Sequence, residues 1–283
     1  MNDAVTGLER VDLHTHSVCS DGLLAPAALA AAAAARAVQW LALTDHDTIA
    51  GCAEAAAACA AHGVRFIPGI ELTAEWKGRE IHVVGLAIDV GAPALLEHCV
   101  AQLERRRARI RAIGTRLQQQ GLPGEQLADS LLAGHAAPTR MHLARALRDS
   151  GRARSAQQAF ERWLGRGQPG YVPADWPAVA ATAACIARAG GVPVLAHPHR
   201  YKLSHGGLRE LCAAFRAAGG LGIEVSLAGI GAGDFDRAAG LARRYDLDGS
   251  FGSDFHEPGI PWRPLGRMAK LPDGVRPVTA RLA

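Results

Sequence analysis

Histidines and carboxylates recur in short groups along this chain. DLHTHS carries His14 and His16, with Asp21 in the loop that follows; TDHD carries Asp45, His46 and Asp47; PGIE ends in Glu71; IHVVG contains His82; AHPH carries His197 and His199; GSDFH carries Asp254 and His256. Imidazole and carboxylate without thiolate is the donor set of manganese, zinc, iron and magnesium-like ions. The candidates His14, His16, Asp21, His46, Glu71, His82, His197, Asp254 and His256 exceed the ligands of one tetrahedral site, so two or three ions are expected. A carboxylate such as Glu71 can bridge two ions, which together activate water and polarise a phosphoryl oxygen. A structural zinc is the alternative, but such sites are closed and favour cysteine.

The elements that must position these groups are short apolar segments: Arg10 to Leu13, Trp40 to Leu43, Arg65 to Ile70, Ile81 to Ile88, Val192 to Ala196, Leu221 to Val225 and Ser250 to Gly252. Read as strands each followed by a helical stretch, they predict βαβ units and a parallel sheet or barrel. The chemical groups then fall at strand ends, which open on one face of a barrel, where such enzymes place their sites. The pattern breaks from Pro93 to about Leu164, which reads as helix after helix.

At 283 residues, 49% apolar and 20% charged, the chain has ordinary soluble-enzyme composition, which excludes a hormone, a collagen or a disordered tail. The net charge of +4 is too mild to argue for a nucleic-acid or membrane partner by itself. Its distribution is uneven, with 13 arginines against 5 acids between Val100 and Gly170. A basic surface set against an acidic one gives that excess, and so does an arginine-rich genome, since only Lys77, Lys202 and Lys270 are lysine. Six cysteines lie scattered without a CxxC pair, the N-terminus lacks an apolar signal core, and no run reaches the ~20 apolar residues of a membrane span. A cytoplasmic protein is expected.

The motifs DLHTHS, Asp21, TDHD, PGIE, His82, AHP and GSDFH resemble those of the PHP (polymerase and histidinol phosphatase) metallophosphoesterases, over Val11 to His256. The helical insertion with RMHLARAL, GRGQPGYVPADW and AHPHRY is similar to the stand-alone bacterial branch, known for 3′,5′-nucleotide bisphosphate phosphatases and 5′-to-3′ exonucleases on short RNA. The resemblance implies an α/β fold, a distorted seven-stranded β/α barrel formed by residues 1–92 and 171–283, with residues 93–170 inserted as a helical cap over substrate. It places His14, His16, Glu71 and Asp254 on one ion, Glu71 with His82 and His197 on a second, and Asp21, His46 and His256 on a third. Manganese is favoured by a donor set without sulfur, with zinc or iron as alternatives.

Substrate selection requires further groups, because metals attract any phosphate, and a guanidinium fork suits phosphate oxygens. Arg105, Arg106, Arg109 and Arg116 resemble a basic helix of this branch, though a solvated helix face is the competing reading for each. Pro138 and Thr139 read as a helix start that aims Arg140, with His142, at a ligand. Arg200 and Tyr201 follow HPH directly and are expected to hold a second phosphate or the base. Asp254 and Glu71 are expected to be catalytic through the ions, His199 to protonate the leaving oxygen, and Asp45 and Asp47 to orient ligand histidines. The expected reaction is hydrolysis of the 3′-phosphate of a nucleoside 3′,5′-bisphosphate, a small-molecule nucleotide substrate, with no membrane and no obligate protein partner. The alternatives are release of nucleotides from short RNA, hydrolysis of a histidinol phosphate-like ester, and a metal-binding interaction module without catalysis.

Overall fold

The anticipated strands form one seven-stranded sheet in a computed structural model that describes residues 8–260 and 262–282. In chain order the elements are β1 (Leu8–Glu9), β2 (Val11–Asp12), α1 (Pro26–Ala34), β3 (Trp40–Leu43), α2 (Cys52–Ala61), β4 (Arg65–Trp76), β5 (Arg79–Leu86), α3 (Pro93–Gln119), α4 (Gly124–Gly134), α5 (Arg140–Asp149), α6 (Ala156–Ala159), a π-helical turn (Phe160–Leu164), α7 (Val179–Arg188), β6 (Val192–Leu195), α8 (His205–Ala217), β7 (Gly222–Leu227), α9 (Ala232–Arg244), β8 (Asp248–Gly252) and β9 (Met268–Ala269). The sheet runs in the order β2-β3-β4-β5-β6-β7-β8, while β1 and β9 pair separately. Its outer strands approach each other: the Leu13 amide donates to the Phe251 carbonyl at 3.1 Å, and Thr15 bridges to Phe255 in parallel. The result is a nearly closed α/β barrel.

The expected strict alternation of strand and helix is corrected by the fold. A helix does not follow every strand, because β4 and β5 are an antiparallel hairpin paired from Gly69 with Leu86 to Trp76 with Arg79, and β5 is also antiparallel to β6. Lys77 and Gly78, at φ 49° and 70°, make the two-residue turn, and consecutive left-handed residues match the twist of a hairpin. Leu72 to Trp76 alternates apolar with polar residues, so the strand expected to stop at Ile70 carries a signal for its continuation to Trp76. The longer strands put Glu71 and His82 within β4 and β5 rather than at strand ends, and raise Glu80 beside the helices between β5 and β6.

Small aliphatics fill the barrel, with Leu13, Ala42, Ile67, Val84, Val194 and Phe251 in one buried cluster. A second cluster joins β4–β7 to α7, α8 and α9, and a third seats α1 and α2 against β3. A further cluster is made by the helices between β5 and β6, with Ile110, Ile113, Leu117, Leu131, Leu143 and Leu164. Each fully buried side chain of this kind contributes about 1.5–3 kcal/mol, so these helices have their own hydrophobic basis for order. Helix α3 joins two clusters: Leu95 and Cys99 pack with the sheet, Ile110 to Leu117 pack among the helices, and Gln102, Arg106 and Arg109 lie between them on the same buried face. All six cysteines are free, and no helix among the described residues is long and apolar enough to cross a membrane.

Candidate metal centre and its cavity

His14, His16, Asp254 and His256 arrive from the loops that leave β2 and β8, Asp21 and His46 from the loops after β2 and β3, and His197 from the end of β6. Glu71 and His82 reach the same place from β4 and β5. His197, Asp254 and Asp47 have φ of 25°, 49° and 52°, a left-handed conformation that costs about 1–3 kcal/mol in a non-glycine residue and that concentrates at functional sites. Four overlapping groups of potential ligands result: His16 with Asp21, His46 and His256; His14 with Glu71 and His197; His14 with His16 and Asp254; and His46 with Glu71 and His82.

The donor atoms converge. His14 Nδ1 lies 2.8 Å from Glu224 Oε1, and its Nε2 lies 3.1 Å from His16 Nε2, 3.3 Å from Glu71 Oε1 and 3.4 Å from Asp254 Oδ1. Burial pushes His14 down, but the Glu224, Glu71 and Asp254 carboxylates overcome it and hold its pKa well above the ordinary histidine value, so a bound cation would take the place of the Nε2 proton while Nδ1–H stays on Glu224. Burial together with the His256 and His46 rings pushes His16 down to about 3, which leaves it a neutral lone-pair donor. Burial alone would push Glu71 up, but the imidazoles of His14, His82 and His46 hold it well below the ordinary carboxylate range. Asp21 Oδ1, His46 Nδ1 and Glu71 Oε2 are buried without a well-aligned hydrogen bond, although His46 Nδ1 stands 2.9 Å from Glu71 Oε2 and Asp21 Oδ1 3.2 Å from His256 Nε2. Buried polar atoms without hydrogen bonds are costly, and donor atoms this close that do not bond one another fit cations. A protein loaded with manganese to about 100 times the dissociation constant should gain about 2.7 kcal/mol of stability over the chelator-treated protein. Thermal unfolding with and without ions reads this directly, and coincident curves would remove the cluster as an ion site.

The centre forms one end of a cavity of about 430 Å³, walled by Arg106, Arg109, Arg140, Arg200 and Arg263 together with Trp176. Every one of these arginines meets a carboxylate. Arg106 Nε donates to Asp47 at 2.7 Å, Arg109 and Arg140 donate to Glu80 at 2.7 and 2.8 Å, Arg200 pairs with Asp254, and Arg263 lies 3.5 Å from the same carboxylate. Burial pushes Glu80 up, and the Arg140 and Arg109 guanidiniums overcome it and hold Glu80 well below its ordinary value. Buried guanidiniums without such partners would be strongly unfavourable, and these pairs keep the forks fixed in place.

Several expected roles change. Arg105 does not line the cavity; its closest polar contact is Gln102 Oε1 at 3.5 Å, because it sits one residue off the buried stripe of α3. His142 also lies outside it. Its Nδ1 accepts from the Thr139 amide at 3.1 Å and completes the cap of α5, whose Thr139 hydroxyl donates to Asp21 at 2.8 Å. His199 is absent from the lining, and burial with the Arg200 charge beside it pushes its pKa down. Asp45 and Asp47 touch no ligand histidine: Asp45 accepts from Ser17 and Ser20, and Asp47 from Thr73, Gln102 and Arg106. Tyr201 does line the cavity, but its hydroxyl donates to the Ala196 carbonyl at 2.7 Å and accepts from the His82 amide at 3.0 Å. Tyr201→Phe leaves that amide and carbonyl unpaired and should cost about 1–3 kcal/mol, read as a shift in a urea unfolding midpoint.

Sequence reasoning missed Glu80, Trp176 and Arg263 on the cavity wall, and Glu224 behind the ligands. Glu224 orients His14 through Nδ1 and accepts from the His197 amide, and only the missing Cβ of Gly252 allows its approach, since a Cβ there would stand 2.6 Å from Glu224 Oε1. Its one sequence signal is a lone carboxylate in the apolar run GIEVSL.

A nearly closed α/β barrel that gathers buried imidazoles and carboxylates beneath an arginine-walled cavity defines a metal-dependent phosphate-ester hydrolase. The chain matches the PHP domain over residues 12–165 and belongs to that family. It is 41% identical to the 5'-3' exoribonuclease Rnm of Escherichia coli across 94% of this chain and 92% of that one. It is 40% identical to a 3',5'-nucleoside bisphosphate phosphatase of Chromobacterium violaceum across 97% of each. The solved structure of an amidohydrolase from Chromobacterium violaceum with bound sulfate and no metal superposes with a TM-score of 0.90 at 39% identity, covering 96% of this chain and 95% of that one.

Proposed function

We propose that this phosphoesterase hydrolyses the 3′-phosphate of nucleoside 3′,5′-bisphosphates, giving nucleoside 5′-phosphate and phosphate. The observation that carries the reading is one cavity with clustered metal-type donors at one end and fixed guanidinium forks on its walls. Two to three divalent ions, with manganese favoured by a nitrogen and oxygen donor set, would be held by His14, His16, Asp21, His46, Glu71, His82, His197, Asp254 and His256. Such ions neutralise charge on the transferring phosphoryl group and lower the pKa of water.

The chain's own groups then do the positioning. Arg109 and Arg140, fixed by Glu80, and Arg106, fixed by Asp47, present N–H donors to the phosphate that is not being cleaved, while Arg200 and Arg263 stand beside Asp254 nearest the reacting centre. Positioning and charge neutralisation dominate phosphoryl transfer, so a rigid set of forks is the expected protein contribution. Residues 93–170 act as the cap that supplies Arg106, Arg109 and Arg140. Free cysteines fit a reducing, cytoplasmic setting.

The relatives named as exoribonucleases favour a second substrate, a short RNA carrying a 5′-phosphate. The test is phosphate release from adenosine 3′,5′-bisphosphate by manganese-loaded protein, beside mass analysis of products from 5′-phosphorylated di- to pentaribonucleotides. Faster bisphosphate turnover to 5′-AMP supports the phosphatase reading; faster mononucleotide release from the oligomers replaces it with the nuclease.

A further inference from the structure

A second cavity, of about 720 Å³, continues from the first: Glu80, Arg140, Phe160, Arg200 and Tyr201 line both. Its remaining cations are Arg79 from the start of β5, Arg166 from the segment after the π-helical turn, and Lys202 from the loop after β6. They differ from the arginines of the first cavity in one respect. Each arginine there meets a carboxylate, whereas Arg79, Arg166 and Lys202 have no carboxylate within 4.0 Å among the described residues. Arg166 donates only to the Gly78 carbonyl, at 2.8 Å, and both Arg166 and Lys202 are exposed. The half-buried rings of Phe160 and Tyr171 line the same cavity, with the Arg140 guanidinium 5.2 and 6.0 Å from their centres, and Glu161 is its one acid besides Glu80. Cations without carboxylate partners and aromatic rings on the walls of one cavity suit a single strand, whose phosphates repeat and whose bases stack without regard to sequence.

The chemistry of the proposed reaction makes the groove useful. When the 3′-phosphate of a bisphosphate is hydrolysed, water oxygen bonds to phosphorus, the bond from phosphorus to O3′ breaks, and the proton that water releases ends on O3′. The same bond breaks when a 5′-terminal nucleotide is released from a chain, and the phosphate then remains on O5′ of the next nucleotide. The two substrates differ only in what lies beyond phosphorus. A bisphosphate has nothing there, while an oligonucleotide needs room and countercharge for its second and later residues. We propose that the second cavity is the subsite for the downstream nucleotides of a 5′-phosphorylated single strand, with Arg166, Lys202 and Arg79 on its phosphodiesters. The proposal rests on the phosphoesterase reading of the first cavity.

The test is the double variant Arg166→Gln with Lys202→Gln, assayed on adenosine 3′,5′-bisphosphate and on a 5′-phosphorylated tetraribonucleotide across a salt series. The expected result is a loss in kcat/KM of about tenfold for the tetramer, a salt dependence shallower by about 0.7 for each phosphate no longer neutralised, and bisphosphate turnover unchanged. An unchanged tetramer rate overturns the subsite. A parallel fall on both substrates also overturns it, by assigning these cations to the mononucleotide's own second phosphate. Should the wild type cleave neither substrate, the proposed activity fails, and the subsite is then judged on binding of a fluorescent tetraribonucleotide to Glu71→Gln protein. A tenfold weaker affinity on adding the double substitution supports it, and equal affinity overturns it.

Discussion

Glu71→Gln is expected to lower turnover by about 10³-fold or more, the scale of the several kcal/mol of charge stabilisation that bound ions supply. Glu71 is fully buried, and its two oxygens face five imidazoles: His82 Nδ1 at 2.9 Å, His197 Nε2 at 3.0 Å, His46 Nδ1 at 2.9 Å, His14 Nε2 at 3.3 Å and His16 Nε2 at 3.4 Å. A glutamine keeps the shape but removes a negative charge and replaces one acceptor by a donor, so one side of the cluster loses its anionic ligand. Raising the manganese concentration should not restore the rate, because the missing charge belongs to the ligand itself. Asp254→Asn is the companion variant, with a similar loss expected and with Arg200 left without its partner. Near-normal activity of either in metal-replete buffer, with an unchanged circular dichroism spectrum, would remove these carboxylates from the chemistry.

How much of the fold and the site is legible in the sequence depends on the kind of signal each residue leaves. Trp40–Leu43 is an apolar quartet that stops at a TDHD group, and its strand has the anticipated bounds. Histidines and aspartates at such stops stand out because their type changes abruptly where the strand ends. The β4–β5 hairpin is not legible, since its turn is Lys-Gly rather than a stronger Asn-Gly or Asp-Gly signal, and its outer half carries Glu75, Arg79 and Glu80. The arginines are identified by type but not by partner. Arg109 meets Glu80 29 positions away and Arg106 meets Asp47 59 positions away, separations that no local pattern encodes. Arg105 is chemically identical to its neighbour, and only the helical phase of α3 separates the half-buried residue from the buried one. His142 reads as a substrate-binding residue from the helix start it shares with Arg140, and its position three residues into α5 makes it part of the cap.

Glu224 marks the other limit, since a single charge within a strand has no spacing to read. Glu224→Gln is expected to weaken ion affinity about 10–100-fold, the usual effect of losing a group that orients a metal-binding histidine. The carboxylate accepts twice, from His14 Nδ1 and from the His197 amide. An amide side chain cannot do the same, because one of its ends is a donor. If its oxygen faces His14, its amino group opposes the buried His197 N–H, which then lacks an acceptor at a cost of about 1–3 kcal/mol. If it turns round, the amino group donates to His14 Nδ1, the ring proton moves to Nε2, and the lone pair aimed at His16, Glu71 and Asp254 is lost. Both arrangements loosen the ion without deleting a ligand. Excess manganese should therefore recover most of the activity of Glu224→Gln while leaving Glu71→Gln inactive, and titration of metal against rate in the two variants reads the difference. A rate for Glu224→Gln that stays low at saturating metal would place Glu224 in the reaction itself rather than behind His14.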